Sequence, residues 1–181
     1  DADLDWAAQR IALGAFAYAG QVCISAQRVF VHETVRDAFQ ARLVEAASAL
    51  AVGDPRGEDV VVGPLIDAGA ADRVESWVEE AVDGGARPLL RGARQGSVMG
   101  PTLLTDVPSG ARVSCEEVFG PVALVEGYGT FSDAVAAVKE WDKATKEIKL
   151  GGIGVLVKDE EGKVKKHKLG KRKTGTGVLI G

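Results

Sequence analysis

Apolar positions recur at helical spacing from the start of the chain. In "DLDWAAQRIALGAFAY", residues 3 to 18, Leu4, Ala8, Ile11, Ala15 and Tyr18 share one face, and Gly20 is placed to end the turn. "QRVFVH", residues 27 to 32, is short, β-branched and aromatic, which predicts a buried strand. In the next nineteen residues Val35, Phe39, Leu43, Ala46 and Leu50 recur at helical spacing, and Thr34 with Asp37 resembles a capping box. "GDPRGED" reads as a turn, after which Asp67 can cap a helix carrying Val74, Trp77, Val78 and Ala81 that "DGG" stops. "RPLL", "PTLLTDV", "ARVSC" and "PVALVEGY" read as short strands between Gly, Pro and Ser turns. Strands alternating with helices predict an α/β domain with a largely parallel sheet. Further on, "TFSDAVAAVKEW" fits a helix and "GIGVLVKDEEGKVKKHKL" a hairpin turning at Asp159 to Gly162, an α+β pattern that need not share the sheet.

Charge divides what the hydropathy pattern joins. Residues 1 to 138 carry ten arginines and no lysine, whereas residues 139 to 181 hold all eleven lysines and one arginine. Through Gly127, nineteen acidic residues face ten cationic ones; after it, seven face twelve, so the sign of the local charge reverses. We read this as a join near Gly127 to Thr130, between one segment over 1–127 and a Lys-rich helix and hairpin segment of different origin over 128–181. The overall charge of −4 argues against nucleic acid as a partner of the whole molecule. Two cysteines are too few for a disulfide scaffold and suit a reducing compartment. No run reads as a signal peptide or as the ~20 apolar residues of a membrane helix, so the expectation is a soluble cytoplasmic protein with no membrane partner.

Two stretches could carry chemistry. Cys23, in "YAGQVCISAQRVFVH", reads either as a small buried hydrophobe or as a nucleophile, its thiolate favoured if the chain turns into a helical segment after Gly20 and Gln21. In "SCEEVFGPV" a pair of carboxylates runs into Phe119, Gly120 and Pro121. It reads either as a solvated pair before a turn or as a rigid platform that sets one carboxylate against a ligand's hydroxyls with the aromatic ring beside it. His32 and His167 have no partners at ligand spacing, so no metal site is expected.

These stretches, joined by "VGPLIDAGAADRVESWVEEAVDGGA", resemble the catalytic domain of the NAD(P)-dependent aldehyde dehydrogenase superfamily over residues 1 to about 127. The resemblance implies that Cys23 is the catalytic thiol, that Glu117 holds the nicotinamide ribose hydroxyls, and that Phe119 lies beside that ribose and the nicotinamide. Cys115 matches no functional position and is expected in the core. The implied reaction oxidises a small aldehyde to an acid through a thiohemiacetal and a thioester on Cys23, with hydride transfer to NAD or NADP.

In this family the dinucleotide-binding domain, the deacylating glutamate and the oxyanion-hole asparagine precede the catalytic cysteine. Here the chain starts 22 residues before it, so the isolated chain is expected to lack turnover, and the family's C-terminal oligomer contacts are expected to be missing. The stretch from 128 onward resembles an uncharacterised family of conserved bacterial proteins. Two other functions stay open: a non-catalytic interaction or structural protein built on an enzyme fragment, and an anion-binding module at the basic cluster from Lys163 to Lys173, itself read more simply as a solvated hairpin face.

Overall fold

A computed structural model describes residues 2–144, 154–158, 164–168 and 177–180. The chain opens with α1 (Leu4–Phe16), whose N-cap Asp3 accepts from the amides of Asp5 and Trp6. A 3-10 turn over Ala17–Gly20 follows, with Tyr18 and Ala19 in left-handed backbone. Next come β1 (Arg28–His32), α2 (Glu33–Ser48) and α3 (Ala68–Asp83). Asp67 caps α3 by accepting from the Ala70 amide, and Gly84 ends it, as the pattern predicted. The start of α2 differs from expectation: its N-cap is His32, whose Nδ1 accepts from the Thr34 amide, so the predicted capping box lies inside the first turn.

The second half supplies β2 (Arg87–Leu90), the short pair β3 (Arg94–Gln95) and β4 (Val98–Met99), β5 (Thr102–Thr105), α4 (Arg112–Cys115), β6 (Val122–Tyr128) and α5 (Phe131–Ala144). The segment 111–115, expected as a strand, is the one-turn helix α4. Its amides at Ser114 and Cys115 bond back to the Ala111 carbonyl, so the segment satisfies them locally, and among the described residues no strand pairs with it. The predicted hairpin appears as β7 (Gly154–Lys158) paired antiparallel with β8 (Val164–Lys168). Its turn at 159–162 and the rest of the basic cluster lie outside the described residues. The last strand, β9 (Gly177–Ile180), pairs parallel with β1 and so joins the main sheet.

That sheet runs β2-β5-β6-β1-β9, parallel throughout except for β2, which lies antiparallel to β5 at one edge. Its middle strands are covered on both faces, which is why Val122, Ala123, Leu124 and Val125 are all buried in succession instead of alternating with polar residues. Val29 and Val31 point into the large core with Phe16, Phe39, Leu43 and Val74, while Phe30 between them packs with Tyr128, Ala134 and Val138 on the opposite face. Each large side chain buried this way stabilises the fold by roughly 1.5–3 kcal/mol. Among the described residues no helix is long and apolar enough to cross a membrane.

Candidate active site

Cys23 sits in the loop that crosses from α1 to β1. It does not stand at a helix entrance: residues 22–25 form a tight turn closed by the Ser25 amide on the Val22 carbonyl, and the chain then runs straight into β1. The expectation of a helix N-terminus under the thiol is therefore corrected, and its physical reason is length. Between Gln21 and Arg28 the chain must reach the sheet, and Ala26 already bonds to the Gly14 carbonyl of α1. The Cys23 side chain is exposed, against the buried reading.

The loop is pinned at both ends by glutamines. Gln21 donates to the Pro64 and Tyr18 carbonyls at 3.2 and 3.3 Å and accepts from the Ile66 amide at 3.0 Å. Buried Gln27 donates to the Val113 and Glu116 carbonyls at 3.0 and 2.8 Å and accepts from the Val118 amide at 3.0 Å. Its neighbour Arg28, also buried, donates to the carbonyl and the hydroxyl of Ser114. Burial pushes the Arg28 guanidinium down to about 10, with Glu126 on the adjacent strand pulling the other way. Two consecutive side chains at the head of β1 thus grip the segment from Val113 to Val118.

That segment carries the second predicted element. Glu117 is half-buried, and desolvation holds its carboxyl above the usual carboxylate range. Phe119, a residue 40% exposed, takes left-handed backbone at φ 47°, a conformation that costs a non-glycine residue ~1–2 kcal/mol and is held by the bonds around it. Gly120 has no room for a side chain because Val74 of α3 occupies that space.

Cys23, Glu117 and Phe119 line one cleft, together with Gly20, Val22, Ser25, Gln27, Gly120 and Val122. It holds about 270 Å³ including its open mouth. Cys115 is not among the lining residues. It is half-exposed, not in the core as expected, and its thiol donates to the Ser109 carbonyl. His32 packs edge-on against Tyr128 and bonds Thr34, and no cluster of metal-ligating side chains occurs among the described residues. Sequence reasoning missed Gln21, Gln27 and the close approach of Gly20 to Gly120. The one signal for Gln27 was an amide side chain directly ahead of a short β-branched strand.

Residues 1–146 match the Aldehyde dehydrogenase family, a range that passes Gly127 and takes in all of α5. The 3-sulfolactaldehyde dehydrogenase of Priestia aryabhattai is 39% identical over 169 residues, covering 84% of this chain and 35% of that protein. Aldehyde dehydrogenase 21 from Physcomitrella patens, solved with the reaction product succinate, superimposes with a TM-score of 0.78 at 35% identity over 98% of this chain and 35% of its own. An NAD-dependent benzaldehyde dehydrogenase from Corynebacterium glutamicum gives 0.75 at 30% identity over 99% of this chain and 37% of its own. The chain thus spans about a third of the length of these relatives. With the family model matching four-fifths of the sequence and relatives of this identity beside it, the chain belongs to the aldehyde dehydrogenase family.

Proposed function

We propose that this chain supplies the thiol and the cofactor-facing carboxylate of an NAD(P)-dependent aldehyde oxidation. The observation that supports this is the meeting of an exposed cysteine, a half-buried glutamate and an exposed aromatic ring in one cleft. The Cys23 thiolate attacks the aldehyde carbon, and the Cys23 backbone N–H offers one donor to the resulting oxyanion. Glu117 is an acceptor only, suited to a pair of ribose hydroxyls, and the Phe119 ring gives the flat apolar surface a nicotinamide needs. When bound there, NAD or NADP takes up the hydride. Glu117 makes no bond to the substrate; it fixes where the ring stands relative to the sulfur.

Hydrolysis of the thioester left on Cys23 needs a base. Glu117 is the one carboxylate among the described residues lining the cleft, and it is committed to the ribose. We therefore expect the 181 residues alone to acylate and then stall. Purified chain treated with p-nitrophenyl acetate should release about one equivalent of nitrophenolate, with the acetyl group found on Cys23 by mass spectrometry, and Cys23→Ser should abolish the release. With an aldehyde and NAD or NADP, reduced-cofactor absorbance should stop at about one equivalent per chain at most, because the thioester is not cleared and no further turnover follows. Acylation that survives Cys23→Ser would end this assignment.

A further inference from the structure

We infer that Gln27 is the positioning residue that sets Glu117 and Phe119 opposite Cys23. This rests on the proposed roles of those three residues and adds one that none of the site's chemistry required. Gln27 lies four residues after the cysteine and is buried, yet every hydrogen bond of its side chain goes to the far segment: two donated, to Val113 and Glu116, and one accepted, from Val118. Its backbone carbonyl meanwhile accepts from the Leu124 amide of β6. The main chain of Gln27 therefore belongs to the sheet, and its side chain belongs to the loop that the sheet carries.

The partners bracket the carboxylate. Glu116 and Val118 are the residues on either side of Glu117, so one amide side chain fixes the peptide on each flank. With both flanks held, the Glu117 side chain has one direction of departure, and Phe119 is forced into its left-handed turn straight after the Val118 bond. An amide is suited to this task because only Asn and Gln offer two donors and an acceptor in one plane, and Asn is a methylene too short. Arg28 grips Ser114 beside it but reaches none of the residues flanking Glu117 through the bonds described above.

The test compares alkylation of Cys23 by neutral iodoacetamide and by anionic iodoacetate at pH 8, resolved from Cys115 by peptide mass spectrometry. A carboxylate facing the thiol slows the anion selectively. Glu117→Gln should lower the iodoacetamide-to-iodoacetate rate ratio about threefold, the scale expected for a partly screened charge lining the same cleft. Gln27→Met, of similar volume, should lower it at least about twofold, and the double variant should fall no further than Glu117→Gln alone, since residues acting through one another do not add.

Hydrogen exchange supplies the second readout. In Gln27→Met the Val118 amide should exchange at least about tenfold faster while the Leu124 amide, bonded to the Gln27 backbone, keeps its protection. If Gln27→Met gives no cooperative melt, Gln27→Asn takes its place with the same expectations. A ratio that moves with Glu117→Gln but not with either Gln27 variant overturns the inference and leaves the roles of Cys23 and Glu117 standing. A ratio indifferent to Glu117→Gln shows that the carboxylate does not face the thiol, and both readings fall together.

Discussion

Gly20 and Gly120 meet backbone to backbone: a β-carbon on Gly20 would stand inside the van der Waals envelope of the Gly120 carbonyl oxygen, and Gly20 also holds a left-handed φ of 68°. This contact holds the cysteine loop against the carboxylate bend where both line the cleft. Gly20→Ala should therefore cost about 2–4 kcal/mol, the sum of left-handed strain and overpacking against backbone that cannot yield. Gly96→Ala is the control. Its φ of 63° is equally left-handed, but nothing stands within 4 Å, so strain alone should cost ~1 kcal/mol. Urea denaturation midpoints of the two variants check this, and equal losses would show that the close approach carries no weight.

Phe119 stores strain at the site instead of paying it into the core. Phe119→Gly should leave stability unchanged or raise it by up to ~1 kcal/mol, because glycine adopts the φ of 47° freely and the residue is 40% exposed. The same substitution removes the aromatic wall of the cleft. A clear drop in the denaturation midpoint would mean that the ring is a packing residue and not a surface kept for a ligand.

Burial raises the carboxyl pKa of Glu126, with Arg28 and Arg36 drawing it partly back, and burial raises that of Glu117 as well. An acid whose folded pKa lies above its unfolded value keeps its proton longer in the folded state. Its contribution to stability is full below the ordinary carboxylate pKa and is lost as pH rises through the folded one. Denaturation midpoints should fall across the window just above the ordinary carboxylate range, and Glu126→Gln should flatten that fall. Parallel pH curves for the two proteins would refute the assignment.

Local chemistry made most elements legible. The spacing of Phe39 and Leu43, the Asp67 cap and the β-branched run before His32 each specify their element through neighbours a few residues away. The reading went wrong where a local pattern has two solutions: Arg112–Cys115 alternates like a strand but pairs with no strand among the described residues, and the chain after Gln21 is too short to wind before it joins the sheet.

The sequence by itself determined the α/β class and the change from arginine to lysine along the chain, because both are written in composition and short-range spacing. Tertiary structure alone decided that Gln27 would reach Val118, 91 residues further on, and that Gly20 would press against Gly120. Both depend on parallel pairing that sets Arg28 beside Leu124, and such pairing is fixed by packing across the whole sheet, with no local residue preference to announce it.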